Sequence, residues 1–405
     1  MGAATTRTGT GQADRLAHVD GLRGFALFGI FVVNSAMIAS PYQALGLPDP
    51  AFDAPVDAAV RWFVACVFET KFYLLFSFLF GYSFTLQMTA AQRSGAAFAP
   101  RFLRRLVGLA VLGLAHAMLF YPGDILLAYA LLGLPLLAWR RLDPGRALRR
   151  ARWMGLLAVS LWLLLGLFIL WLPGTVDDAT AYRTDAQAAL AAYRSGWAGT
   201  VLQNTREWAG SIWWQLMLVQ GPFVAVMFLV GYALGRREAL ADPWREPGRL
   251  RQLLLIGLLP GLAGAAFYAT TALPSVPISW KLLGLAVGLA TAPLLSLSYG
   301  AAFLLLWRSA CGPCLAAWLA PAGRMALTHY LMQSVLCAFV FTGWGLRRVS
   351  AVPPLGVLVL VLLLFGLQLL LSRWWMQRHV HGPVEGLLRA LTLARWPRWR
   401  RTPVA

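Results

Sequence analysis

The sequence predicts an all-α, polytopic transmembrane helical bundle of about ten spans with both termini in the cytoplasm. Three observations carry that prediction. Hydrophobic residues fill 59% of the 405 positions and charged ones only 13%, with a mean hydropathy of +0.64. Soluble domains average about half apolar and about a quarter charged. Apolar runs of the roughly 20 residues that cross a bilayer recur along the whole chain. Positive charge, finally, falls in short clusters between those runs.

Residues 1–20 are polar and small and read as a disordered cytoplasmic tail. An N-terminal half (21–172) holds five spans, at 22–40, 58–88, 103–121, 124–139 and 153–172. The first is long and lacks a small-x-small cleavage site, so it reads as an uncleaved span. A Pro- and Asp-rich loop (41–57) separates the first two spans. Residues 173–210 form an extracytoplasmic loop in which 181–193 has helical composition, suited to lying on the membrane surface. A second half (211–378) holds spans at 211–234, 250–273, 280–307, 322–345 and 355–375. Residues 379–405 read as a basic cytoplasmic tail.

The net charge of +19 comes from 35 Lys+Arg against 16 Asp+Glu. Cytoplasmic loops of membrane proteins carry the excess of Lys and Arg. Alternate loops here hold Arg93, Arg101, Arg104 and Arg105, then Arg140 to Arg152, then Arg236 to Arg251, and the C-terminal tail adds Arg395 to Arg401. The intervening loops hold Asp49, Asp53, Asp57, Asp177, Asp178 and Asp185; Arg347 and Arg348 are the exception. These charges set orientation, and a nucleic-acid partner is excluded. No Gly-x-x-x-x-Gly-Lys-Ser/Thr loop supports ATP-driven action. Four cysteines without a His cluster give no zinc signature, so no metal is expected. Cys311 and Cys314 have a redox-motif spacing without the βαβ context that such a motif needs.

Ionisable residues at membrane depth are the functional candidates. His116 and Asp124 flank the turn Tyr121-Pro122-Gly123. A histidine is the usual base near neutral pH and a carboxylate can orient its ring. The same two residues also suit a core histidine bonded to a carbonyl and a helix cap. Asp20 and Arg23, three apart, share a helical face. They read as topogenic charge with a cap, or as a site for a phosphate, which Arg binds bidentately. Asn34 fits interhelical bonding or a ligand contact. Glu69 and Lys71, two apart on a helix, point away from each other, and Lys71 is free to pair with Asp124 or with an acidic substrate group. Arg324 and Thr328 share one face of the ninth span, and His329 and Gln333 the next. Packing and ligand binding account for that stripe about equally.

Several stretches carry a resemblance: Arg15-Leu16-Ala17-His18-Val19-Asp20-Gly21-Leu22-Arg23-Gly24, then Lys71-Phe72-Tyr73-Leu74-Leu75-Phe76-Ser77-Phe78-Leu79-Phe80-Gly81. Gly113-Leu114-Ala115-His116 follows, with Gly123-Asp124-Ile125-Leu126. The last are Gly323-Arg324-Met325-Ala326-Leu327-Thr328-His329-Tyr330-Leu331-Met332-Gln333-Ser334 and Gly382-Pro383-Val384-Glu385-Gly386-Leu387-Leu388-Arg389. As a set they resemble the YeiB-like membrane proteins (domain of unknown function 418) over nearly the whole chain. His329 stands where that family often has Asn, which speaks against proton transfer by His329. The Asp-x-Leu-Arg-Gly opening is similar to that of transmembrane acyltransferases, including heparan-alpha-glucosaminide N-acetyltransferase-like enzymes.

That resemblance implies a protein of the bacterial inner membrane that takes an acyl group from cytoplasmic acyl-CoA. The acceptor is a hydroxyl or amine of a small molecule or glycan, outside the cytoplasm or in the bilayer. No bound cofactor is implied; acyl-CoA is a donor substrate. His116 is the expected base, Asp124 its orienter, and Arg23 and Arg324 the contacts to the donor's anionic end. The alternative is a proton-coupled transporter or exporter using the same polar groups. Lipid is the expected partner in either case, and an oligomer is compatible with both.

Overall fold

Within lipid every backbone N–H and C=O must find its partner in the protein, and a helix satisfies them locally. The computed structural model describes residues 11–172, 179–273 and 276–401. The first ten residues of the expected tail, and Asp177 and Asp178, lie outside the described residues. Apart from one isolated bridge between His379 and Arg400, the regular structure described is helical.

The helices of the first half are α1 (Gly11–Ala39), α2 (Pro41–Ala44), α3 (Pro55–Val67), α4 (Lys71–Arg93), α5 (Phe98–Leu119), α6 (Leu126–Ala138) and α7 (Pro144–Trp171). They are followed by α8 (Ala179–Arg194), α9 (Trp197–Glu207), the three-residue α10 (Trp213–Gln215) and α11 (Gly221–Arg236). The rest are α12 (Pro247–Thr271), α13 (Ile278–Trp307), α14 (Gly312–Arg324), α15 (Ala326–Phe341), α16 (Pro354–Arg378) and α17 (Pro383–Leu393).

Among the described residues, eight helical stretches are long and apolar enough to cross a membrane. Two further apolar helices, α6 and α15, occupy the fourth and ninth predicted runs but have only 13 and 16 residues. At about 1.5 Å per residue they reach about 20 and 24 Å, less than the roughly 30 Å hydrocarbon core. The chain is therefore an all-α, membrane-spanning helical bundle.

Three expectations are corrected. The run 58–88 is two helices, α3 and α4, interrupted at Phe68-Glu69-Thr70, where Thr70 has φ +69°. Beyond the helix expected at 181–193, which is α8, the stretch before 211 holds a second helix, α9, and α9 continues through π-helical turns at Trp208–Ile212 and Leu216–Gln220 into α11. The two tails are also partly ordered. α1 begins at Gly11, and the C-terminal stretch forms α17, opened by Pro383 and packed on α5 through the buried Leu388.

Packing explains how these helices hold together without a hydrophobic drive between them, since lipid is as apolar as leucine. α1 contacts α4, α13, α14, α15 and α16 and lies inside the bundle. α4 and α11 approach most closely at two glycines: a Cβ on Gly81 would meet Phe228 O, and one on Gly231 would meet Phe78 O. Beside that crossing the Phe80 and Phe228 rings stack with centroids 4.5 Å apart. The outward faces of α7, α12 and α16 are bare leucine, including Leu157 (72% exposed), Leu259 (73%) and Leu363 (67%). On a soluble protein such a belt would be an aggregation surface; here it fits lipid.

Candidate functional site

α5 and α6 form a short hairpin, and the turn between them brings His116 and Asp124 together. His116 Nδ1 lies 2.8 Å from Asp124 Oδ1, and both side chains are almost fully buried. Asp124 Oδ2 accepts from Leu127 N at 3.1 Å, so the carboxylate also caps the first turn of α6. Tyr330 Oη, from α15, donates to Asp124 Oδ1 at 3.3 Å. Gly113 makes room: a Cβ there would sit 2.6 Å from Asp124 Oδ2. His116 Nε2 is buried and has no hydrogen-bond partner among the described residues.

Beside this dyad is a cavity of about 280 Å³. Its walls come from α1 (Asn34), the α3–α4 interruption (Glu69, Thr70), α4 (Tyr73), the α5–α6 turn (Tyr121) and α8 (Tyr193). Glu207, Gln215 and Gln220 come from the α9–α11 stretch, and Tyr268 and Tyr330 from α12 and α15. His116 does not line it. The Tyr121 and Tyr330 rings do, and their centroids are 6.5 and 5.1 Å from that of His116.

Interrupting α3–α4 exposes Glu69 to this space. Its Oε2 accepts from Tyr268 Oη at 2.8 Å. Lys71 does not pair with Asp124, which His116 and Tyr330 already engage. Instead its Nζ donates to Ala65 O at 2.9 Å, a carbonyl near the end of α3, and lies 5.7 Å from the centroid of the Tyr268 ring. Glu207 Oε1 accepts from Gln203 Nε2, and Oε2 from Tyr193 Oη, both at 2.9 Å.

The other expected residues lie elsewhere. Arg23 is held by Asp20 at 2.5 Å and by Ser83 Oγ at 2.6 Å. Arg324 is exposed near Asp20. Thr328 Oγ1 donates to Glu385 Oε2 at 2.5 Å, and the backbone N–H groups of Leu327 and Thr328 donate to Glu385 Oε1 at 2.7 and 2.9 Å. Glu385 thus caps the start of α15 from α17, and burial raises its carboxyl above the ordinary glutamate value. His329 Nε2 bonds Ser372 Oγ, and Gln333 Nε2 donates to Gln368 Oε1 at 2.9 Å. The polar stripe of α15 therefore faces α16 and α17, not the cavity. Among the described residues no three His, Cys, Asp or Glu side chains converge as a metal site would require.

The chain is 30% identical over 403 residues to the uncharacterized protein YxaH of Bacillus subtilis (strain 168), covering 95% of each. It is 30% identical over 405 residues to the uncharacterized protein YeiB of Escherichia coli (strain K12), covering 94% of this chain and 97% of the other. The family described as a protein of unknown function (DUF418) matches residues 234–395. The chain belongs to the DUF418/YeiB-like family. An uncharacterized 39.9 kDa protein from the amylase 3' region of Bacillus acidopullulyticus is 27% identical over 386 residues. No solved structure matches. With eight long apolar stretches among its described residues and these bacterial relatives, this DUF418 protein is a multi-pass protein of the bacterial inner (plasma) membrane.

The DUF418 match takes in Glu385, whose segment the sequence had singled out without giving this residue a role. Glu207 was missed because it fell in a presumed loop. A signal was present: Asn204, Glu207, Ser211 and Gln215 recur at three- and four-residue spacing, a polar stripe on one helical face. The π-helical turn then brings in Gln220, five residues on, since π-helices bond i to i+5.

Proposed function

We propose that this DUF418 protein transfers an acyl group from cytoplasmic acyl-CoA to a hydroxyl or amine acceptor held in the cavity on the extracytoplasmic side. One observation carries the reading. A histidine oriented by a buried carboxylate keeps its second nitrogen unpartnered, next to the wall of a polar cavity. This is the arrangement of a general base with its orienting group.

In the step proposed, the acceptor's O or N attacks the thioester carbonyl carbon. The new C–O or C–N bond forms as the C–S bond breaks. His116 Nε2 takes the acceptor's proton and returns it to the leaving thiolate, while Asp124 steadies the imidazolium. The Tyr121 ring has to turn aside for an acceptor to reach Nε2. The donor's phosphates would lie at the arginine end, near Arg23 and Arg324. Arg105, with a buried and unpartnered Nε, stands among the charges of Arg23, Arg389 and Glu385. Along α5, Arg105 and His116 are 11 residues apart, about 16 Å at 1.5 Å per residue, a gap suited to an extended pantetheine arm.

The test is transfer from labelled acyl-CoA in proteoliposomes. Wild-type protein should label an acceptor supplied on the opposite face, and His116→Ala should lower the rate by about 10²–10⁴-fold. Full activity in His116→Ala would sink the mechanism.

The two membrane-embedded carboxylates, Glu69 and Glu207, and the interrupted helices that carry them favour a second reading. Proton-coupled transporters use such groups and such broken helices around a central site. In that case substrate would cross the bilayer down a pH gradient unchanged, and no acyl product would form.

A further inference from the structure

We infer that the cavity selects an organic cation, a small protonated amine, as its ligand. The inference rests on the cavity being the substrate site of the proposed function and goes on to name the class of molecule that enters it. Glu69 and Glu207 both line the cavity, and among the described residues no Lys, Arg or His does. Among the described residues neither carboxylate has an ion-pair partner; they accept from the neutral groups of Tyr268, Tyr193 and Gln203. Lys71 acts on Glu69 through space, but its Nζ donates to Ala65 O and lies over the Tyr268 ring. Among the described residues no cation pairs with Glu207, whose partners are Tyr193 and Gln203. Tyr121 lies within the electrostatic reach of both carboxylates, so the two charges act on one space.

The rest of the wall fits the same ligand. Tyr73, Tyr121, Tyr193, Tyr268 and Tyr330 present ring faces or hydroxyls, and aromatic faces attract cations by about 0.5–2 kcal/mol once water is excluded. Thr70 and Tyr73 line the cavity, and their hydroxyl oxygens are buried behind its surface without partners among the described residues. A volume of about 280 Å³ suits a small molecule, not a polymer segment. An anionic ligand would meet two carboxylates and no base. A neutral ligand would draw only hydrogen bonds from the two carboxyl groups, which Tyr268, Tyr193 and Gln203 already supply. In the proposed chemistry the bound ammonium marks the acceptor: a second amine or a hydroxyl of the same molecule is acylated.

The experiment uses the full-length protein in detergent and three four-carbon probes that differ in charge: putrescine, 4-amino-1-butanol and 1,4-butanediol. Unfolding temperature is followed against probe concentration at pH 7. Both amines should raise it saturably and the diol should not. Glu207→Gln should weaken the amines' apparent affinity at least tenfold. Gln215→Lys, at an exposed position of the wall, places a cation in the cavity and should abolish the amine effect without lowering the unliganded unfolding temperature. This second variant keeps the test valid if Glu207→Gln fails to fold. A diol that stabilises as well as the amines overturns the inference, as does amine binding unchanged in Gln215→Lys. The functional reading fails separately. Amine binding that survives while acyl-CoA labels nothing leaves the cation site standing and removes the transferase. Transfer to a neutral diol, with no amine binding, does the reverse.

Discussion

Tyr330 Oη donates to Asp124 Oδ1 at 3.3 Å and accepts from Ile125 N at the same distance, tying α15 to the α5–α6 turn. One hydroxyl thus links the dyad to the cavity wall. Tyr330→Phe removes both bonds and leaves a backbone N–H unpaired. The expected loss is about 1–2 kcal/mol of stability, read as a lower unfolding temperature in detergent. Acyl transfer should fall about tenfold, less than in His116→Ala, because Asp124 still orients the ring. A transfer rate as low as that of His116→Ala would show that Tyr330 itself takes part in proton movement.

A double-mutant cycle on His116 and Asp124 measures their coupling. Asp124→Ala leaves His116 Nδ1 and Leu127 N without their acceptor. Each buried unsatisfied group costs about 1–3 kcal/mol, so this variant should be destabilised by about 3 kcal/mol. The double variant, His116→Ala with Asp124→Ala, should be more stable than the sum of the single losses predicts, by about 1–3 kcal/mol. Strict additivity in unfolding measurements would mean that the 2.8 Å contact carries no energy.

Much of this was legible in the sequence. The apolar runs announced the helices, and His116 and Asp124 stood out because ionisable residues in such runs are rare. Their closeness was not legible, because a hairpin turn sets it and spacing alone does not. Glu69 and Lys71 go to separate partners as expected, but not because they diverge on one helix: Glu69 sits in the interruption before α4. A run of apolar residues gives no warning of that break. The stripe from Thr328 to Gln333 was legible as polar but not as to its partners, which come from Gln368, Ser372 and Glu385 far along the chain.

The α4–α11 crossing yields a prediction about packing. In Gly81→Ala the new Cβ meets the backbone carbonyl of Phe228, which has no rotamer by which to yield. Overpacking of this kind costs about 1–3 kcal/mol. Gly366, in α16, has open space at its Cβ. Gly366→Ala should be neutral or stabilising by up to about 1 kcal/mol, since Ala is the better helix former. Thermal unfolding of the two variants side by side checks the contrast, and equal unfolding temperatures would refute the close crossing.

Thr70 gives a prediction of opposite sign to most substitutions. Its φ of +69° lies in the left-handed region, and its Oγ1 has no partner. A β-branched residue is a true outlier there, and such conformations cost about 1–3 kcal/mol. Glycine adopts them freely but loses more chain entropy on folding, which offsets part of the gain. Thr70→Gly should therefore be neutral or stabilise the protein by up to about 1 kcal/mol. Thr70→Val keeps the strain and the shape, and should leave stability nearly unchanged because no hydrogen bond is lost. Thermal unfolding in detergent checks both variants, and the one expected to gain is Thr70→Gly. A fall of several degrees in its unfolding temperature would mean that the α3–α4 interruption is held by something other than a strained Thr70.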